Sequence, residues 1–108
     1  MISENGGAQG DKIIVQIDPE LEDLIPGFLS NRRKDVIKMQ AALAAGDYET
    51  IQSLGHSMKG AGGGYGFDRI TDIGLNLETA AREKDSQKLQ EQIRNLSHYL
   101  EHVEVRYE

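Results

Sequence analysis

The stretch GHSMKGAGGGYGF, Gly55 to Phe67, sets a histidine and a lysine three residues apart and follows them with glycines. Imidazole is a usable nucleophile near neutral pH, since its ordinary pKa is about 6.5. An ammonium group one helical turn away favours the neutral ring and can hold an incoming anion. Phosphoryl transfer asks for positioning and charge compensation above all. His56 and Lys59 supply a nucleophile and one counter-charge. They bring no nucleotide site, acid–base carboxylate or metal. That set fits a carrier that receives and returns a phosphoryl group while its partner supplies the rest.

The glycines do not form a phosphate loop. A Walker loop needs its lysine after the second glycine, followed by Ser or Thr; here Lys59 precedes most of the glycines and Gly66 is followed by Phe67. A dinucleotide fingerprint started at Gly60, Gly62 or Gly64 ends on Tyr65, Phe67 or Arg69 instead of glycine. No strand leads into the segment, and both motifs require one.

A helix accounts for the segment better. At about 100° per residue, with Gln52 at zero, His56 falls near 40°, Lys59 near 340°, Gly60 near 80° and Gly63 near 20°. Ile51, Leu54, Met58, Ala61 and Tyr65 fall on the opposite face, between about 180° and 260°. That face is apolar and should be buried, which turns His56 outward. Each mid-helix glycine costs roughly 0.5–1 kcal/mol relative to alanine. Either the helix ends near Gly62 and the last glycines are loop, or something must approach this face closely. The sequence leaves open where between Gly62 and Gly66 the helix gives way.

The elements that must carry this face are helical. Residues 1–11 are polar and glycine-rich and read as a disordered tail, leaving 12–108 as a single domain. KIIVQI (12–17) has the β-branched content of an extended segment, and Asp18-Pro19 looks like a helix start. Pro26 disfavours the helical region for Ile25, so a break is expected there. A longer helix is expected from Gly27 to Ala45, with Leu29, Val36, Met39, Ala42 and Leu43 as its stripe. Gly46-Asp47 reads as a stop followed by a cap. Another helix begins near Asp68 with Ile70, Ile73, Leu77 and Ala80 or Ala81 inward. After Asp85-Ser86, the last pattern runs Leu89, Ile93, Leu96, Leu100, Val103, Tyr107, the steps of a bundle seam. The expected fold is all-α, an antiparallel up-down four-helix bundle with room for a short extra helix in front. The alternation in VEVRY and in KIIVQI also allows the two termini to pair as short strands.

Composition narrows the partners. The 108 residues carry a net charge of −6, no cysteine, no tryptophan and two phenylalanines. Acidity and scarce aromatics argue against nucleic acid. There is no 18-residue apolar run and no signal-peptide pattern, so no membrane span and a cytoplasmic location are expected. A monomer is expected, because a transfer face must stay free. Met1 and the absence of a linker after Glu108 suggest a stand-alone protein, with a fragment of a hybrid kinase as the alternative.

The residues resemble a known family. His56-x-x-Lys59-Gly60, with Gly66 ten residues after His56, is similar to the signature of histidine-containing phosphotransfer (HPt) domains of bacterial multistep phosphorelays. AALAAGDYETIQSLGHSMKGAGGGYGF resembles that family's two central helices and the turn between them, and ITDIGLNLETAAREKD the helix that follows. The resemblance runs from about Asp18 to Val103. It implies that His56 is the phosphoacceptor, at Nε2, that Lys59 stabilises the phosphate, and that Gln52 orients the imidazole. It implies that Gly60 admits the partner, with Ser57 and Gly63 beside the site. It implies exchange with aspartates of response-regulator receiver domains and with a hybrid histidine kinase. No cofactor of the chain's own is implied, since the Mg²⁺ belongs to the receiver. The run Gly62-Gly63-Gly64 departs from the family, which often has Ala, Ser or Asn there.

Two other readings compete. A non-catalytic helical adaptor could dock receivers or kinases without transfer. A metal-binding bundle could use His98 and His102, four apart, but no Glu-x-x-His occurs and solvated surface histidines are the plainer account. Arg32-Arg33-Lys34 reads as a solvated helix face that could meet an acidic receiver surface. Asp68 and Arg69 read as cap and surface.

Overall fold

The computed structural model describes residues 12–108; the expected tail at 1–11 lies outside the described residues. The elements are β1 (Ile13–Ile17), a 3₁₀ turn (Pro19–Leu21), α1 (Ile25–Ala44), α2 (Tyr48–Gly64), α3 (Asp68–Arg82), α4 (Ser86–His102) and β2 (Val103–Tyr107). The four helices form the up-down bundle.

Helix boundaries follow local chemistry. Asp18 caps the 3₁₀ turn, its carboxylate accepting from the Glu20 amide at 2.9 Å, so the extra N-terminal helix is a single turn. α1 starts at Ile25, two residues before the expected Gly27. Pro26 causes no break there, because a first-turn residue needs no amide donor and the proline φ already suits a helix. Burial favours the early start: Ile25 is 1% exposed.

Three helix ends share one design. After α1, Gly46 adopts φ 70° while its amide reaches Leu43 and the Asp47 amide reaches Ala42. After α2, Gly66 adopts φ 90° with the matching bonds to Gly63 and, from Phe67, to Gly62. These are Schellman closures, which need a left-handed residue. After α3 the position is held by Lys84 at φ 55°. Asp47 and Asp85 then cap the next helix through the amides of Thr50 and Lys88. The Asp47 carboxyl lies below its ordinary pKa, chiefly because the Thr50 hydroxyl and then the Thr50 amide donate to it.

The core is the sum of the helix stripes. Met39, Ile51, Met58, Ile70, Leu77, Leu89 and Leu96 have no exposed surface. Phe28 packs between Tyr65 and Phe67, with ring centroids 4.6 and 5.3 Å away. The expected seam of the last helix holds through Leu100, but Val103 and Tyr107 belong to β2. There β1 pairs with β2 in parallel, Ile13 opposite Val103 and Ile17 opposite Tyr107. Alternating Val-x-Val-x-Tyr suits a strand, and β1 offers the backbone partners that end the helix.

α2 and α3 approach most intimately. A Cβ on Gly55 would lie 2.8 Å from the Glu78 nitrogen and 2.9 Å from the Gly74 oxygen. A Cβ on Gly74 would lie 2.6 Å from the Lys59 nitrogen, and one on Gly62 2.7 Å from the Thr71 Oγ1. Side chains are excluded from this line, so the two backbones touch.

Candidate functional site

The α2 helix runs unbroken through the glycines to Gly64, which resolves where it ends. Its buried positions include Ile51, Gly55, Met58 and Gly62. His56 stands on the other side, its side chain 67% exposed. Gln52, Ser53, Ser57 and Glu49 line a shallow groove with it, and Glu78 crosses from α3 to close that groove.

Glu78 organises the site. Its side chain is 10% exposed, and Oε2 lies 2.9 Å from His56 Nδ1. Oε1 lies 2.9 Å from Lys59 Nζ, and Arg82 Nη2 is 3.5 Å from Oε2. The Lys59 hydrogen bond, followed by that of His56, holds the Glu78 carboxyl below its ordinary pKa. An ionised carboxylate can only accept, so Nδ1 must carry the proton it donates. The neutral ring then has its lone pair on Nε2, the nitrogen across the ring from Glu78. One contact therefore selects the tautomer and leaves the Nε2 lone pair unused by Glu78.

The expected site residues separate into groups. His56 and Lys59 share Glu78. Gln52 and Ser57 line the groove, yet the ring's hydrogen bond goes to Glu78 and not to Gln52. Gly60 and Gly63 are exposed; a Cβ on Gly60 would meet nothing within 4 Å, and one on Gly63 only Thr71 Oγ1 at 3.6 Å. Gly62 faces inward, so the glycine run serves two surfaces: Gly55 and Gly62 fit α3, whereas Gly60, Gly63 and Gly64 leave the outer face bare.

Sequence reasoning missed Glu78. A signal was present: Glu78 falls on the buried face of α3, four residues after Gly74 and beside Leu77 and Ala81. An acid on an apolar stripe needs a partner, and an outward basic and imidazole pair was already in view on α2.

The other candidates lie elsewhere. Arg32 Nε binds Asp35 Oδ2 at 2.8 Å and its guanidinium sits 4.9 Å over the Phe28 ring. Arg33 donates to the Leu100 carbonyl at 3.4 Å. Two of the three basic residues thus brace α1. On α4 the His98 and His102 rings are 4.1 Å apart, with His102 Nδ1 2.8 Å from the His98 carbonyl. Among the described residues no three His, Asp or Glu side chains are grouped to hold a metal ion. Asp68 and Arg69 are exposed at the start of α3. No helix of the described residues is long and apolar enough to cross a membrane.

A four-helix bundle that lifts one tautomer-fixed histidine onto its surface has the build of a phosphotransfer module. The sequence model of the Hpt domain family matches residues 23–105, and the chain belongs to that family. Hpt domains serve histidine phosphotransfer in phosphorelay signalling and interact with receiver domains and kinases. No curated protein and no solved structure matches the chain.

Proposed function

We propose that His56 takes a phosphoryl group from, and returns it to, aspartates of response-regulator receiver domains, with a hybrid histidine kinase upstream. The observation that carries this reading is the exposed His56 ring held through Nδ1 by Glu78 at 2.9 Å. The Nε2 lone pair attacks phosphorus, and the P–O bond to the aspartate breaks with its electrons leaving on the carboxylate. Lys59 offsets phosphate charge from one turn away, and Arg82, 59% exposed, is a second cation within reach of the ring's acceptor. Gln52 and Ser57 border the approach, while Gly60 and Gly63 let the receiver's backbone come close. The Mg²⁺ of the step is the receiver's, and the chain works as a cytoplasmic monomer without a cofactor of its own.

Incubation with phosphorylated receiver domain tests the reading. Label that is acid-labile, alkali-stable and lost in His56→Gln is the expected result. Equal labelling of His56→Gln would sink it. Unchanged receiver dephosphorylation with the intact protein would instead favour the docking adaptor.

A further inference from the structure

We propose that the trough between α1 and α4 docks an acidic amphipathic helix of a partner protein, on a face that leaves His56 free. Two depressions there join into one. The larger, about 560 Å³, lies among Leu43, Ala44, Gln90, Ile93 and Arg94. The smaller, about 310 Å³, lies among Arg33, Val36, Ile37, Leu100 and Glu101. Gln40 and Ser97 line both, so the two are continuous. From Arg33 to Ala44 a helix rises about 16 Å, the length of three turns of a second helix laid along it.

The lining dictates what the occupant carries. Apolar side chains stand at both ends, Leu43 with Ile93 and Val36 with Leu100, and the polar Gln40 and Ser97 stand between them. Ile37, on the rim, is 67% exposed, the most of any large apolar side chain among the described residues. A solitary exposed isoleucine is ordinary, but one that extends an apolar trough enlarges a contact surface. Val36 and Leu43 lie about 10 Å apart along the helix axis. A helix with apolar anchors at i and i+7, and a hydrogen-bonding side chain between them, matches that pattern.

Charge makes the occupant acidic. The chain carries −6 overall, yet the exposed charges of α1, Arg33, Lys34 and Lys38, are all positive. The one acid of α1, Asp35, is buried and bound to Arg32 at 2.8 Å. Arg94 adds a positive charge from α4, and Glu101 is the only acid of the lining among the described residues. An acidic chain with one positive wall steers an acidic partner to that wall and repels it elsewhere. His56, Lys59 and Glu78 line neither depression, so the helix and a receiver fit at once. The proposal does not depend on His56 accepting phosphate.

The test titrates the whole ¹⁵N-labelled chain with a stapled helical peptide of about 14 residues, with leucines at i, i+3 and i+7, a glutamine between them and glutamates on its flanks. A second peptide replaces the glutamates with lysines. The acidic peptide is expected to bind with a Kd of about 100 µM, to shift the amides of 33–44 and 90–101, and to leave that of His56 in place. Added salt should weaken it, and the lysine peptide should bind at least about tenfold more weakly. Ala44→Gln, which fills the trough, and Ile37→Ser, at an exposed position that does not put folding at risk, should each cost about tenfold in affinity. No shift up to about 1 mM peptide, equal binding of the two peptides, or shifts centred on α2–α3 would each overturn the proposal. So would affinity unchanged in both variants. Shifts in the trough that appear as the chain alone is concentrated would make a second copy the occupant, and would overturn it too.

Discussion

The α2–α3 pair and the α1–α4 pair face opposite ways across one bundle and are built by different rules. Along α2–α3 the contact is backbone on backbone, through Gly55, Gly62 and Gly74. Along α1–α4 the helices are held apart by longer side chains, and Gln40, Leu43, Ala44, Gln90, Arg94 and Ser97 line an open groove between them. Close approach lets a short carboxylate on one helix reach two side chains on the other. Glu78 could not bridge to His56 and Lys59 if a methyl group stood between the backbones. The glycines that seemed wasteful for a helix therefore serve the site from behind.

The most damaging way to break this contrast is to fill the α2–α3 line. Gly74→Val or Gly55→Val would push a side chain into backbone atoms that cannot yield, and a loss of about 3 kcal/mol or more is expected. Urea unfolding measures it, and a loss below about 1 kcal/mol would mean that the helices are free to separate. Ala44→Gln, in the open α1–α4 groove, is the matching control.

Acid should act next, and on the α2–α3 side. The Glu78 carboxyl is depressed below its ordinary value by the Lys59 and His56 hydrogen bonds. A depressed acid contributes stability above its unfolded value and loses it as pH falls through the folded one. Stability should therefore decline below about pH 4.5, the ordinary value of the group. Glu78→Gln should flatten that decline in melting curves across pH 2–6, and an unaltered slope would remove Glu78 as a contributor.

A smaller effect belongs to the turn that leaves this pair. Lys84 occupies the left-handed position that glycine fills after α1 and α2. Lys84→Gly should stabilise the chain by about 1 kcal/mol, the strain an ordinary side chain carries there. No gain in melting temperature would show that the turn is relaxed as it stands. The smallest change is expected from Ala44→Gln, within about 0.5 kcal/mol, because its surroundings are open. A large loss would erase the distinction between the two helix pairs.

Much of the site could be read directly from residue order. The helical period placed His56, Lys59, Gly60 and Gly63 on one outward face and Met58 with Ile51 on the buried one. Asp18, Gly46 and Asp47 marked ends that local hydrogen bonding alone determines. Pro26 was misjudged because its meaning depends on whether it lies inside a helix or in the first turn, and burial of Ile25 settles that. Val103 and Tyr107 satisfied a helical seam and a strand equally well until β1 supplied backbone partners.

By itself, then, the sequence determined the helices, their buried stripes and the face on which the histidine stands, because these depend on neighbours within a turn or two. Tertiary structure decided which glycines face a helix and which face solvent. It decided that strands ninety positions apart lie in register, Ile13 against Val103. It also decided that the acid holding His56 is Glu78, 22 residues away. Those outcomes turn on how closely two helices can approach, and that distance is set by side chains on both at once.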